Sequence, residues 1–147
     1  MADEIRRSAD GDPWHGPAFS AAVRGVSHRQ ASRLLVGATH TIWELALHIG
    51  LWYAELAEVV RGRAYRNVSQ AEQWPAVGDE SPAAWRSLVA SVVDTGKRLA
   101  DDVAALSDEG LERMIEGREY TLEFLLHGLA QHTAYHSGQI VVLKKMP

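Results

Sequence analysis

His132 and His136 are the residues of this chain whose type and spacing could most directly do chemistry. Four positions apart on a helix, they share a face one turn apart. That spacing chelates a divalent metal well. The face is apolar: Leu122, Leu125, Leu126, Leu129, His132, His136, Ile140 and Leu143 follow one another along it. Two imidazoles pointing into such a stripe need partners, because a buried polar group left unsatisfied is costly. A metal ion would satisfy both. His48 lies on the inward face of an earlier helix, among Leu45, Ile49 and Trp52. It sits about seven residues from the start of that helix, roughly 10 Å along it, and His136 about nine residues from the end of the last helix, roughly 13 Å. If those two helices are antiparallel neighbours, the three histidines fall at one depth. A single histidine on an apolar face is more often bonded to a backbone carbonyl than to a metal. Three at one depth favour the metal.

The elements that must position them are legible as helices. Thr41-Ile42-Trp43-Glu44 has capping-box form and opens a helix over 41–61, which Gly62 ends. Ser81-Pro82 opens another over 82–106, with Trp85, Leu88, Val89, Val92, Leu99, Val103 and Leu106 on its apolar side. Thr121 caps the last helix. Gly16-Pro17 starts a short first helix over 17–26, carrying Phe19, Ala22, Val23 and Val26, and Ser27 to Gln30 has capping-box form and could open one or two turns more. Residues 62–80 show no period and form a long connection, and 107–120 form a second one with a helical turn near 108–114. No strand alternation and no repeat is present. The expected fold is all-α, a four-helix bundle. The 62–80 connection is long enough for helices two and three to run parallel, giving an up-down-down-up order with helices two and four antiparallel. Residues 1–12 read as a flexible, solvated tail and 13–147 as one domain.

Composition narrows the function. The 147 residues are 46% hydrophobic and 23% charged, which suits one globular domain. With 15 Lys plus Arg against 19 Asp plus Glu, the net charge of −4 argues against a nucleic-acid partner. The richest basic stretch, Arg61 to Arg66, follows Glu55 and Glu58. The chain has no cysteine, so thiol nucleophiles, zinc fingers, iron–sulfur clusters and disulfides are excluded, and a reducing cytoplasm fits. No apolar run approaches the ~20 residues of a membrane span. Met1 to Asp12 has no apolar core or cleavage signal of a secretory leader.

Rival motifs are missing. There is no Glu-x-x-His pair of a di-iron bundle, no HExxH, no GxGxxG, no phosphate-binding loop and no GxSxG elbow. Trp43, Trp52 and Trp85 fit core stripes. His127, five residues before His132, points about 140° away around the helix and suits a packing or surface role. His40 precedes the Thr41 cap, where it could line the mouth of a site; His15 stands before the first helix and His28 on the surface. Ser137-Gly138 leave little bulk beside His136, letting a ligand or a neighbouring helix come close.

These segments together resemble the DinB/YfiT-like family of metal-dependent helical-bundle proteins. The resemblance is carried by Trp14-His15-Gly16-Pro17, by His40-Thr41-Ile42-Trp43-Glu44-Leu45 with His48-Ile49, and most specifically by His127-Gly128, Gln131-His132 and Tyr135-His136-Ser137-Gly138-Gln139-Ile140. It spans about residues 14–145, with little signal over 62–120. The resemblance implies a four-helix bundle holding one divalent ion through His48, His132 and His136. It also implies a homodimer, and relatives that include thiol transferases, which join low-molecular-weight thiols to small electrophiles, and a mycothiol-dependent isomerase.

Three neutral imidazoles would leave the ion's charge uncompensated and at least one position open, the mark of a catalytic rather than a structural site. Such an ion acidifies bound water or binds a thiol as thiolate. Zn, Ni and Fe all accept imidazole, and the ligand set does not choose among them. The expected function is transfer of a thiol to a small electrophile. Hydrolysis by metal-activated water and a non-catalytic metal or small-molecule binding stress protein are the alternatives.

Overall fold

The computed structural model describes residues 1–147 and is all-helical, with eight helices and no strand. They are α1 (Ala2–Ala9), α2 (Phe19–Val23), α3 (His28–Ala31), α4 (Ile42–Val60), α5 (Gln70–Gln73), α6 (Pro82–Ala104), α7 (Asp108–Glu112) and α8 (Leu122–Lys145). The long helices begin where their caps predict. Thr41 accepts from the Glu44 amide while the Glu44 carboxylate accepts from the Thr41 amide, satisfying two backbone donors at once. Ser81 and Thr121 cap α6 and α8 more simply, their hydroxyls accepting from the Ala84 and Phe124 amides. No helix is long and apolar enough to cross a membrane.

The contacts between the long helices fix their relative directions. Trp43 meets Trp85, Gly50 faces Val92, Tyr53 faces Gly96 and Arg61 pairs with Asp102. The numbers rise together, so α4 and α6 run the same way. Gln30 of α3, the element that precedes α4, donates to the carbonyl of Lys144 at the end of α8, and Arg113, before α8, donates to the carbonyl of Val59 at the end of α4. α4 and α8 therefore run in opposite directions.

Residues 1–12 are not the solvated tail expected from their polarity. Residues 2–9 form α1, which packs against α6 and α8 with Ile5, Ser8 and Ala9 buried. Ion pairs Arg6–Asp101 at 2.7 Å and Lys97–Asp10 at 2.6 Å set it antiparallel to α6. Three inward residues at helical spacing suffice to dock two turns, and the charged residues on the remaining face obscure them in composition. The helix expected over 17–26 is shorter than predicted, only the five residues of α2.

All the long elements meet at Tyr53, which is fully buried. Its hydroxyl lies 3.1 Å from Ser8 Oγ of α1 and also engages Thr133 of α8. Its ring lies on Gly96 of α6, where an added Cβ would stand 2.6 Å from Ala9 Cβ and 2.9 Å from Tyr53 Cε2. Only glycine lets α1 and Tyr53 approach α6 so closely. Alanine normally favours a helix interior by about 1 kcal/mol over glycine. Here the overpacking penalty, typically about 1–3 kcal/mol, outweighs that gain. Gly96→Ala is expected to lower the thermal midpoint by several degrees in a calorimetric melt. A midpoint at or above that of the unaltered chain would contradict the close packing.

Candidate metal centre

His48 projects from the first half of α4, and His132 and His136 project from successive turns of α8. The antiparallel pairing brings the three rings together. Their Nε2 atoms converge: His48 to His132 is 2.9 Å, His136 to His132 is 3.1 Å, and the group offers three ligand atoms all within 4.8 Å of one another. No carboxylate belongs to the group. Zinc–imidazole bonds of ~2.0–2.1 Å in a tetrahedral site imply nitrogen separations of roughly 3.3 Å, so small ring movements would admit an ion.

The far side of each ring explains its orientation. His48 Nδ1 lies 2.7 Å from the carbonyl oxygen of Gln73, and donating there leaves its Nε2 lone pair facing the cluster. His136 Nδ1 lies 2.6 Å from Gln139 Oε1, whose amide nitrogen donates in turn to the Tyr135 hydroxyl at 3.2 Å. Such outer hydrogen bonds fix the tautomer and aim the ring of a metal-ligating histidine. His132 differs, because its Nδ1 is buried without a partner. The free ring therefore keeps its proton on Nε2, between the other two nitrogens. For Nε2 to hold an ion, the ring would have to carry its proton on Nδ1 instead, where an unpaired N–H costs about 1–3 kcal/mol. That is small beside the ~10–16 kcal/mol of structural zinc sites.

Burial and mutual repulsion keep all three rings neutral. Desolvation pushes the His132 pKa down to about 3, and charge on His136 or His48 would push the same way. Desolvation also lowers His48 and His136, against the raising effect of their bonds to Gln73 and Gln139. Neutral imidazole is the form that binds metal, so the site is deprotonated before any ion arrives.

Gln73 and Trp74 come from the long connection, which is more than a spacer. Ser69 and Glu72 form a capping box that winds α5. Arg66 ties that turn to α4, pairing with Glu72 at 2.8 Å and with Glu55 at 2.7 Å, while Arg63 reaches Glu55 at 2.8 Å. The basic stretch is thus consumed by neighbouring carboxylates. The Trp74 ring is sandwiched between two histidines, 3.4 Å from His40 and 4.1 Å from His48, both nearly parallel. Sequence reasoning missed Gln73, Trp74, Tyr135 and Gln139 as parts of the site. The signals were a second capping box before Gln73-Trp74-Pro75, and the three- and four-residue spacings of Gln139 from His136 and Tyr135.

Two cavities flank the cluster along α8. One of about 450 Å³ is lined by His40, Leu45, Tyr135, Gly138, Gln139 and other residues. The other, about 260 Å³, is bounded by Trp52 and His132 among mostly apolar side chains. Ser137 and Gly138 divide: Ser137 is buried and Gly138 faces the larger cavity. His40 lines that cavity, as its place before the cap suggested. His127 is directed away and pairs with Glu4 at 3.0 Å. His28 bonds the Glu80 carbonyl at 3.0 Å, and His15 is exposed.

The depressed histidine values set a pH dependence for the metal-free protein. The unfolded chain takes up protons below about pH 6.5 that the folded cluster refuses. Stability from this source is therefore complete above pH 6.5 and falls as the pH drops toward 3. Melting of chelator-treated protein between pH 7.5 and 4.5 should show this decline, and His132→Asn should flatten it. Parallel curves for the two proteins would contradict the assignment.

One comparison with known proteins found a match. A family model described as the DinB superfamily matches residues 14–140, a span that includes all three clustered histidines. No curated protein and no solved structure matches the chain. The chain belongs to the DinB superfamily.

Proposed function

We propose that this protein is a metal-dependent enzyme holding one divalent ion through the Nε2 atoms of His48, His132 and His136, and that it transfers a low-molecular-weight thiol to a small electrophile. The convergence of three neutral imidazole nitrogens between two cavities carries the reading. Three protein ligands leave an ion with an open position, and an ion bound by uncharged ligands favours thiolate over thiol at neutral pH. The fold within this proposal is an up-down-down-up bundle in which α1, and not the helix expected over 17–26, supplies the first member beside α4, α6 and α8. The directions of α1 against α6, α4 with α6 and α4 against α8 support it.

The chain's own residues have distinct tasks. Gln73 and Gln139 aim two of the rings, and Trp74 covers His48 against solvent. His40, whose Nδ1 lies 4.0 Å from Glu44 Oε2, lines the larger cavity and takes up the proton the thiol gives up. The sulfur forms its bond to the electrophilic carbon as the leaving group departs with the electron pair. No cysteine is needed from the protein, since the nucleophile arrives with the co-substrate. A cytoplasmic setting, where small thiols stay reduced, suits this chemistry. A homodimer is part of the proposal, and the exposed Leu34, Val36 and Val142 supply apolar surface for it.

Protein prepared without a histidine tag is expected to hold about one divalent ion per chain by elemental analysis. His48→Ala, His132→Ala and His136→Ala should each remove most of it, since three ligands are the minimum of a catalytic zinc-type site, while His127→Ala should retain it. Metal kept in the His132 variant and lost from the His127 variant would overturn the ligand set. With Co²⁺ in the site, adding a small thiol should bring new charge-transfer absorption. A spectrum indifferent to thiol, azide and pH would leave only a closed binding site, and one that answers to pH and azide but not to thiol would favour hydrolysis.

A further inference from the structure

The smaller cavity beside His132 is unlike the larger one. Its walls are the rings of Trp52 from α4, Tyr65 from the connection, Tyr120 before α8, and Phe124 on α8, above Leu56 and Leu129. Trp52 stands edge-on to His132 with ring centroids 6.1 Å apart, and Tyr120 is tilted against Phe124 at 5.3 Å. Arg118 lies over the Tyr65 ring at 5.2 Å and is bonded to Asn67, which holds that wall in place. No carboxylate or ammonium group lines the slot, and His132 closes its inner end.

Gly128 supplies an independent observation. It lies in the interior of α8, four residues before His132, where glycine is among the least favourable residues. An added Cβ would meet no protein atom within 4 Å, in contrast to Gly96 and Gly50, whose Cβ would strike Tyr53 and Val92. Nothing within the protein calls for glycine at 128. Its effect is to leave the slot open at the approach to His132.

We propose that the slot formed by Trp52, Tyr65, Tyr120, Phe124 and Gly128 binds a flat, uncharged aromatic ring of a small molecule, with His132 at its inner end. The volume of about 260 Å³ suits one or two fused rings. Aromatic walls favour a ring in stacked or edge-on contact over an alkyl chain of equal size. The slot ends on His132, a member of the histidine cluster, which suits a substrate rather than a distant surface ligand. This deepens the functional reading above and rests on it for one point, that the ring belongs to the electrophile.

The test is calorimetric titration of the full chain with 2-naphthol, with and without bound zinc. Saturable binding is expected in both forms. Gly128→Leu, which fills the slot, should weaken it about tenfold or more, as loss of a small pocket does, and Gly138→Leu in the other cavity should leave it unchanged. Gly128→Ala serves as the variant that folds: it should raise the thermal midpoint, by helix propensity, and still weaken binding. Unchanged affinity in both Gly128 variants would overturn the proposal, as would n-octanol binding as tightly as 2-naphthol. So would a dimer that Gly128→Leu dissociates, in a protein that ignores 2-naphthol, because a second copy would then fill the slot. Metal content measured on the same samples separates the two readings. Slot binding by a protein that takes up no metal overturns the function alone, and metal binding with naphthol indifferent to residue 128 overturns the slot alone.

Discussion

Three imidazole nitrogens cannot rest within a few ångströms of one another, out of water, without a positive charge or a shared proton among them. This constraint governs the architecture around His48, His132 and His136. Burial drives all three rings toward the neutral form, which leaves lone pairs in search of a cation. The Gln73 carbonyl and the Gln139 amide then hold two of the rings so that those lone pairs converge rather than turn away. The same desolvation that would punish a protonated cluster prepares it for a metal.

The rest of the fold holds that arrangement through contacts among its own side chains. Tyr53 and Gly96 lock α1, α4 and α6 together, and Thr133, one residue from His132, joins α8 to the same point. The cluster thus borrows its precision from an apolar core that closes without it. The connection after α4 adds a second layer. Its ion pairs to Glu55 hold α5 in place, so the Gln73 carbonyl and the Trp74 ring arrive over His48 from outside the long helices.

The histidine cluster was legible in the sequence because one helical period, one capping box and one capping threonine determine it. His132 and His136 share a face by spacing, and His48 reaches their depth because Thr41 and Thr121 fix where α4 and α8 begin. What stayed hidden depends on contacts between distant segments. Trp74 sits in a stretch with no period, and it reaches the site through ties between distant segments, the Arg66 pairs with Glu55 and Glu72 among them. α1 was read as a tail because its charged residues outnumber Ile5, Ser8 and Ala9, which matter only once Tyr53 and Gly96 are in place to receive them. Gln139 was in view beside His136, but its role follows from the His136 Nδ1 proton, which no spacing rule reports.

The central claim is that the three Nε2 atoms share one divalent ion, and anomalous diffraction from metal-loaded crystals at the absorption edge of that ion tests it most directly. The account predicts a single anomalous peak per chain, about 2.0–2.2 Å from Nε2 of His48, His132 and His136. Rings still bonded to Gln73 and Gln139 should accompany it. A peak elsewhere, or one touching fewer than three of these nitrogens, would contradict it.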